Sequence, residues 1–308
     1  MKRVYVAAVL GLTLAVPAQA VGQAQSALVG RWDLTLTDSS RRYPSWLEVE
    51  RSGNHALVGR FVGVVGSARP VSKIEYSDSG FRFSIPPQWE QGDSDVHVEG
   101  VLKGDQLSGS VTDPAGKRYA WTGTRAPALD RATPPRWGAP VVLFNGTDMA
   151  KWQTSGDNWR VVNRVLTNIK PGANIVTRDK FGDFKLHIEF RYPKQGNSGV
   201  YLRGRYEVQV EDNDSLYPAQ DHLAAIYGFL APSHAAPRQP GVWQTYDITL
   251  VGRHVTVVLN GKTLLSDQEI PGITGGALDS NEGEPGPLLL QGDHTAVEYR
   301  NIVLTPAR

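Results

Sequence analysis

The sequence predicts an all-β protein of two successive units: a small antiparallel barrel or sandwich, then a two-sheet jelly-roll sandwich. Three observations predict it. Short runs alternate apolar and polar residues with period two, as where Phe184, Leu186, Ile188 and Phe190 share one face. Turn signals punctuate the chain at short intervals, the strongest being Asn260-Gly261 between two apolar runs. Gly (32) and Pro (20) are frequent, and no stretch sustains a helical repeat.

The N-terminus reads as a secretory signal of residues 1–20. Lys2 and Arg3 supply the charge, residues 6–16 the apolar stretch, and Ala18-Gln19-Ala20 the cleavage site. That stretch is too short for a permanent membrane span. A periplasmic or secreted protein is expected, cleaved near Ala20, with no membrane insertion of the mature chain. Cysteine is absent, which removes disulfides, a lipid-modified cysteine, thiolate metal sites and a cysteine nucleophile. The 32 basic and 31 acidic residues are scattered and form no basic stripe, so nucleic acid is not an expected partner.

Residues 27–125 hold eight strand candidates: 31–37, 46–50, 56–63, 71–76, 81–85, 96–102, 106–111 and 118–124. Turns at Ser52-Gly53-Asn54, Asp78-Ser79-Gly80, Lys103-Gly104-Asp105 and Asp113-Pro114-Ala115-Gly116 separate them. The spacing predicts an up-and-down meander. It carries no titratable cluster, which makes it an accessory module that binds glycan or docks the second unit. Residues 126–140 are Pro-rich and predict a semi-rigid linker.

Residues 141–308 are again strands and turns. The stretch 197–212 stands out within them. Its even positions Val200, Leu202, Tyr206, Val208 and Val210 are core-like, whereas the odd positions Tyr201, Arg203, Arg205, Glu207, Gln209 and Glu211 form one polar row. Gly204 bends or breaks the run. A solvated sheet face with cross-strand ion pairs is the alternative reading of that row.

Several separated segments then resemble one family. They include Leu143-Phe144-Asn145-Gly146, Asn197-Ser198-Gly199-Val200, Tyr206-Glu207-Val208-Gln209-Val210, Gly241-Val242-Trp243, Gly276-Ala277-Leu278-Asp279, and Leu290-Gln291-Gly292-Asp293-His294. In order and spacing they resemble the 3-keto-disaccharide hydrolase domain over residues 141–306. The resemblance implies a concanavalin A-like lectin/glucanase fold and a hydrolase acting on 3-keto-glycosides. The family usually has an apolar residue where Glu211 stands, and often Glu-Trp-Asn where this chain has Val242-Trp243-Gln244.

A ketone at C3 acidifies the C2 proton, so a base can start an elimination that water then reverses. This needs a base, an oxyanion partner and an acid. On the resemblance, Glu207 is the base, Arg203 the oxyanion partner, and Asp212 or His294 the acid. Asn197, Ser198, Gln209, Glu211 and Gln291 are the substrate-binding candidates. Tyr227 and Trp243 offer stacking surface for a sugar, and His222 lies at the rim. Direct glycosidase chemistry through two carboxyl groups, as in the similar Glu-x-Asp-x-x-Glu of laminarinase-type glucanases, is the alternative. Here Gln209 replaces the central acid. A third reading is a lectin-like groove without catalysis. No cofactor is expected, although residues 211–214 and 279–282 are oxygen-rich enough for Ca²⁺. The partner is a small-molecule or oligosaccharide substrate.

Overall fold

The computed structural model describes residues 27–308, so the signal-sequence expectation lies outside the described residues. The first unit is a closed antiparallel barrel of β1 (Gly30–Thr37), β2 (Arg42–Ser52), β3 (Ala56–Val62), β4 (Arg69–Ser77), β5 (Gly80–Ile85), β6 (Val96–Lys103), β7 (Gln106–Thr112) and β8 (Arg118–Arg125). Each strand pairs with the next, and β8 returns to β1 along Thr37↔Ala120 to Trp32↔Arg125. Closure removes both sheet edges, and it decides between the barrel and the sandwich. Trp32, Leu34, Leu36, Phe61, Phe83 and Trp121 fill the interior.

The second unit is a jelly-roll sandwich. Its smaller sheet holds β10 (Trp152–Thr154), β13 (Ile175–Thr177), β15 (Asn197–Leu202), β16 (Tyr206–Glu211) and β20 (Leu289–Leu290), in the order β10-β13-β20-β15-β16. The larger is ordered β11 (Trp159–Val162), β12 (Val165–Asn168), β21 (Val297–Pro306), β14 (Phe184–Arg191), β17 (Gln244–Val251), β18 (His254–Leu259), β19 (Lys262–Glu269), with β9 (Val141–Phe144) beside β21. The chain crosses repeatedly between the sheets. Phe184, Leu186, Ile188 and Phe190 of β14 meet Val200, Val208 and Val210 in the core between them. The Asn260-Gly261 hairpin forms as its sequence predicts, with φ of 51° and 79°.

The two units share packed surface. β2 is buried from Ser45 to Val49 because one face lines the barrel and the other lies under the sandwich. Trp46 points outward from the barrel and packs edge-on against Phe229, with ring centroids 5.3 Å apart. The Arg60 guanidinium lies over both rings. The Pro-rich segment is not a free spacer either. Trp137 bridges Ala307, Arg131 pairs with Asp183 at 2.7 Å, and Gly138 N–H donates to Pro306.

Candidate functional site

The site lies on the outward face of the smaller sheet and is organised by the β15–β16 hairpin. Its turn places Arg203 (φ 53°) and Gly204 (φ 67°) at the centre, and Arg205 N–H donates to the Leu202 carbonyl at 3.0 Å. Two consecutive positive φ values mark a type I′ geometry. Pairing then runs Tyr201↔Glu207, Gly199↔Gln209 and Asn197↔Glu211. Odd residues oppose odd residues, so the polar row passes through the turn and stays on one face. The same face continues across the sheet in register from Glu207 to Tyr201, Leu289, Val176 and Gln153.

Glu207 is the centre of this face, only 3 % exposed. The Tyr201 hydroxyl lies 2.8 Å from its Oε2 and 3.0 Å from the Gly275 carbonyl. Its other carboxylate oxygen lies over Gly199, where a Cβ would overlap it; only glycine leaves that space. Thr274 Oγ1 accepts from the Glu207 N–H at 3.0 Å, and the Glu207 carbonyl accepts from Tyr227 N–H at 3.1 Å. Burial pushes the Glu207 carboxyl up to about 8, reinforced by the charges of Asp293 and Glu211 and opposed by the Tyr201 hydrogen bond. Burial also raises the Glu211 carboxyl, with Asp221 adding to it and His222 opposing.

The polar neighbours are arranged around that carboxyl. Asp293 accepts from His294 Nδ1 at 2.7 Å, and this bond raises the imidazole and lowers the aspartate. Gln209 and Gln291 are 3 % and 8 % exposed, and the Oε1 of each is without a partner. Gln291 is tied next to Gly199 by its N–H on the Gly199 carbonyl. Beside them opens a hollow of about 570 Å³ lined by Gln153, Thr154, Asn174, Val176, Leu278 and Asp293. A hollow of this size suits a small ligand. A roomier one, about 710 Å³, lies on the barrel wall; its Glu75 and Arg82 pair with each other at 2.8 Å, and no lining side chain is a buried orphan.

Of the predicted residues, the fold gathers Glu207, Gln209, Glu211, Asn197, Gln291, Tyr227 and His294 around this face. Four others depart from their expected roles. Arg203 sits in the turn, buried, donating to the Tyr206 hydroxyl (3.0 Å) and the Gly252 carbonyl (2.9 Å), because a hairpin replaces the continuous strand. It is no oxyanion partner for Glu207. Asp212 is gripped by Arg238 at 2.6 and 2.9 Å and by Gln195 N–H, which hold it below the usual carboxylate range. An acid so held has no proton to give near neutrality. Ser198 is an even position and turns inward, donating to the Gln291 carbonyl beside the Tyr299 hydroxyl. Trp243 lies under Arg191 and Arg300 on the outward side of the larger sheet, so it cannot stack a ligand held at Glu207.

Three acids of the oxygen-rich runs are held by arginines. Asp279 pairs with Arg205 at 2.7 Å, and Glu282 with Arg253 at 2.5 Å, while Asp212 belongs to Arg238. Among the described residues no three His, Asp or Glu side chains converge as a metal cluster. Tyr201, Gly199 and Asp293 were not predicted. Tyr201 belongs to the same odd row, and Asp293 adjoins His294, so both signals were present in the sequence.

Fold and site define a two-unit β protein whose sandwich holds a buried carboxylate near two amide oxygens without partners. The chain belongs to the 3-keto-alpha-glucoside-1,2-lyase-like domain family, whose model matches residues 139–305, more than half of it. Two solved structures of candidate glycosyl hydrolases from Parabacteroides distasonis are similar. One is 30 % identical, with a TM-score of 0.46 over 57 % of this chain and 92 % of its own. The other is 21 % identical, with 0.45 over 54 % and 93 %. A non-specific endo-β-1,3(4)-glucanase of family GH16 is 9 % identical, with 0.38 over 56 % and 91 %. No curated protein matches the chain.

Proposed function

We propose that the sandwich cleaves 3-keto-glycosides by elimination followed by hydration, with Glu207 as the base. The observation that carries this reading is a carboxylate with no cation beside it among the described residues, raised to about 8 and oriented by Tyr201. A base poised near the working pH is what proton abstraction next to a ketone requires. Tyr201 engages Oε2, which leaves Oε1 to take the proton from C2. As that C–H bond breaks, the C1–C2 double bond forms and the C1–O bond to the aglycone breaks. The His294 imidazolium, held by Asp293, protonates the departing oxygen. Water then adds at C1 and a proton returns to C2, so the net change is hydrolysis. The orphaned acceptors of Gln209 and Gln291 match sugar hydroxyls, which bring donors. A purely adhesive groove gives no reason to keep a buried acid near its titration point. We place this activity outside the cytoplasm, on the strength of the N-terminal signal pattern.

The test is to supply a 3-keto-disaccharide in D₂O and follow both sugar release and C2 labelling at early times. Elimination and hydration put one deuterium on C2 of the released 3-keto sugar. Direct displacement leaves C2 unlabelled, and a binding module releases no sugar. The pH dependence is a second expectation. The free enzyme must have Glu207 ionised and His294 protonated, so kcat/KM should rise about tenfold per pH unit through the acid range and decline again once the imidazolium loses its proton. A plateau already reached at pH 5 would rule out Glu207 as the base.

A further inference from the structure

We propose that the barrel supplies part of the substrate site: Trp89 is an aromatic platform for a sugar ring lying beyond the one held at Glu207. The proposal rests on the function above for its substrate class, and on an independent set of contacts for its position.

Trp89 is 69 % exposed, the most exposed tryptophan among the described large hydrophobics. It sits in the loop joining β5 to β6. That loop is not loose. The Glu90 carboxylate accepts from the backbone N–H of Gln88 (2.9 Å) and of Trp89 (3.2 Å). The same carboxylate pairs with Arg69 at 2.7 and 3.1 Å, both side chains being largely buried. Gln88 in turn accepts from Ser67 N–H at 2.9 Å. A buried bidentate pair thus anchors a loop whose tip presents a large aromatic ring to water.

Its surroundings place it next to the site. Trp89 lies beside the Tyr227 side chain, and Tyr227 feels the charges of Glu207, Asp221 and Glu211. Tyr227 N–H also bonds the Glu207 carbonyl. The barrel reaches this position through close backbone contact: at Gly275 a Cβ would overlap the Gly66 carbonyl, and at Gly66 one would meet Trp89 at 3.3 Å. Gly275 is the residue whose carbonyl faces the Tyr201 hydroxyl. Trp89 therefore stands one tyrosine away from the reacting carboxylate. Beside an acid-and-amide site, an exposed tryptophan face suits the C–H face of a pyranose.

Two measurements test the platform. In the first, intrinsic fluorescence follows titration of cellotetraose, maltotetraose and laminaritetraose into wild type, Trp89→Ala and Trp89→Phe. We expect binding of at least one oligosaccharide by wild type, weakening of about tenfold or more in Trp89→Ala, and retention of most of it in Trp89→Phe. Binding unchanged in Trp89→Ala, or absent in wild type, overturns the proposal whatever the enzyme does. In the second, the ratio of kcat/KM for a 3-keto-trisaccharide to that for a methyl 3-keto-glucoside should fall about tenfold in Trp89→Ala. An unchanged ratio also overturns the platform, while absence of turnover in wild type counts against the catalytic reading instead.

Discussion

Glu207→Gln is expected to lower turnover of a 3-keto-glycoside by about 10²–10⁴-fold, the usual contribution of a positioned general base. The substitution keeps the side-chain shape, so the Tyr201 hydroxyl can still meet an oxygen at that position. The same change should make the protein more stable above neutral pH. The native state holds the Glu207 proton up to about pH 8, whereas the unfolded chain releases it near the ordinary 4.5. Native stability is therefore undiminished below pH 4.5 and falls as pH rises towards 8, by on the order of 4–5 kcal/mol at completion. Glutamine has no proton to lose, so its advantage in thermal melts should be small at pH 5 and several degrees at pH 8. Loss of activity with a pH-dependent gain in melting temperature is the signature of an acid held against its own solvation. Wild-type turnover in the variant, or equal melting gains at both pH values, would contradict the assignment.

The second large effect is structural. Glu282 is fully buried, accepting from Arg253 at 2.5 and 3.3 Å and from the Tyr206 hydroxyl at 2.7 Å. Asp33, on the first barrel strand, faces the same cluster. Burial and the Glu282 charge hold the Asp33 carboxyl well above the usual range, so the two acids share their surroundings with one of them protonated. Glu282→Ala leaves the Arg253 guanidinium without its carboxylate in a buried position. We expect a loss of about 3–5 kcal/mol in denaturant unfolding. Asp33→Asn works in the opposite direction. The raised Asp33 carboxyl favours the folded state at low pH and penalises it as pH rises, so the amide should stabilise at alkaline pH and change little in acid. A Glu282→Ala loss below about 1 kcal/mol would show that Asp33 takes over as the partner of Arg253.

Much of the fold was legible because strand pattern and turn chemistry are local. All eight barrel strands lie at the predicted places, since each apolar face alternates and each turn carries Gly, Asn or Asp. The Asn260-Gly261 turn was legible for the same reason: its backbone demands positive φ, which those residues supply cheaply. The polar row was legible only as a row. Arg203 belongs to it by count, yet it lies in the turn, because period two holds only while the chain stays extended. Ser198 shows the same limit from the other side, since its even position already pointed inward.

Trp243 failed for a different reason. Alternation tells which residues share a face, and says nothing of which of two sheets that face belongs to. The alternating residues from 246 to 259 likewise read as one run before the Asn260-Gly261 turn, whereas the chain turns at Gly252 between β17 and β18.

By itself the sequence determined the strands, the sharp turns, and the set of residues that Glu207 shares a face with, because these depend on neighbours within a few positions. Only the tertiary structure decided that Glu207 is the dry acid, that Asp212 is neutralised by Arg238, and that Trp89 arrives from the barrel. Solvation and ion pairing are sums over atoms that the fold brings from far along the chain, from Gly199, Gly275 and Asp293 to Gly66, and no local pattern contains that sum.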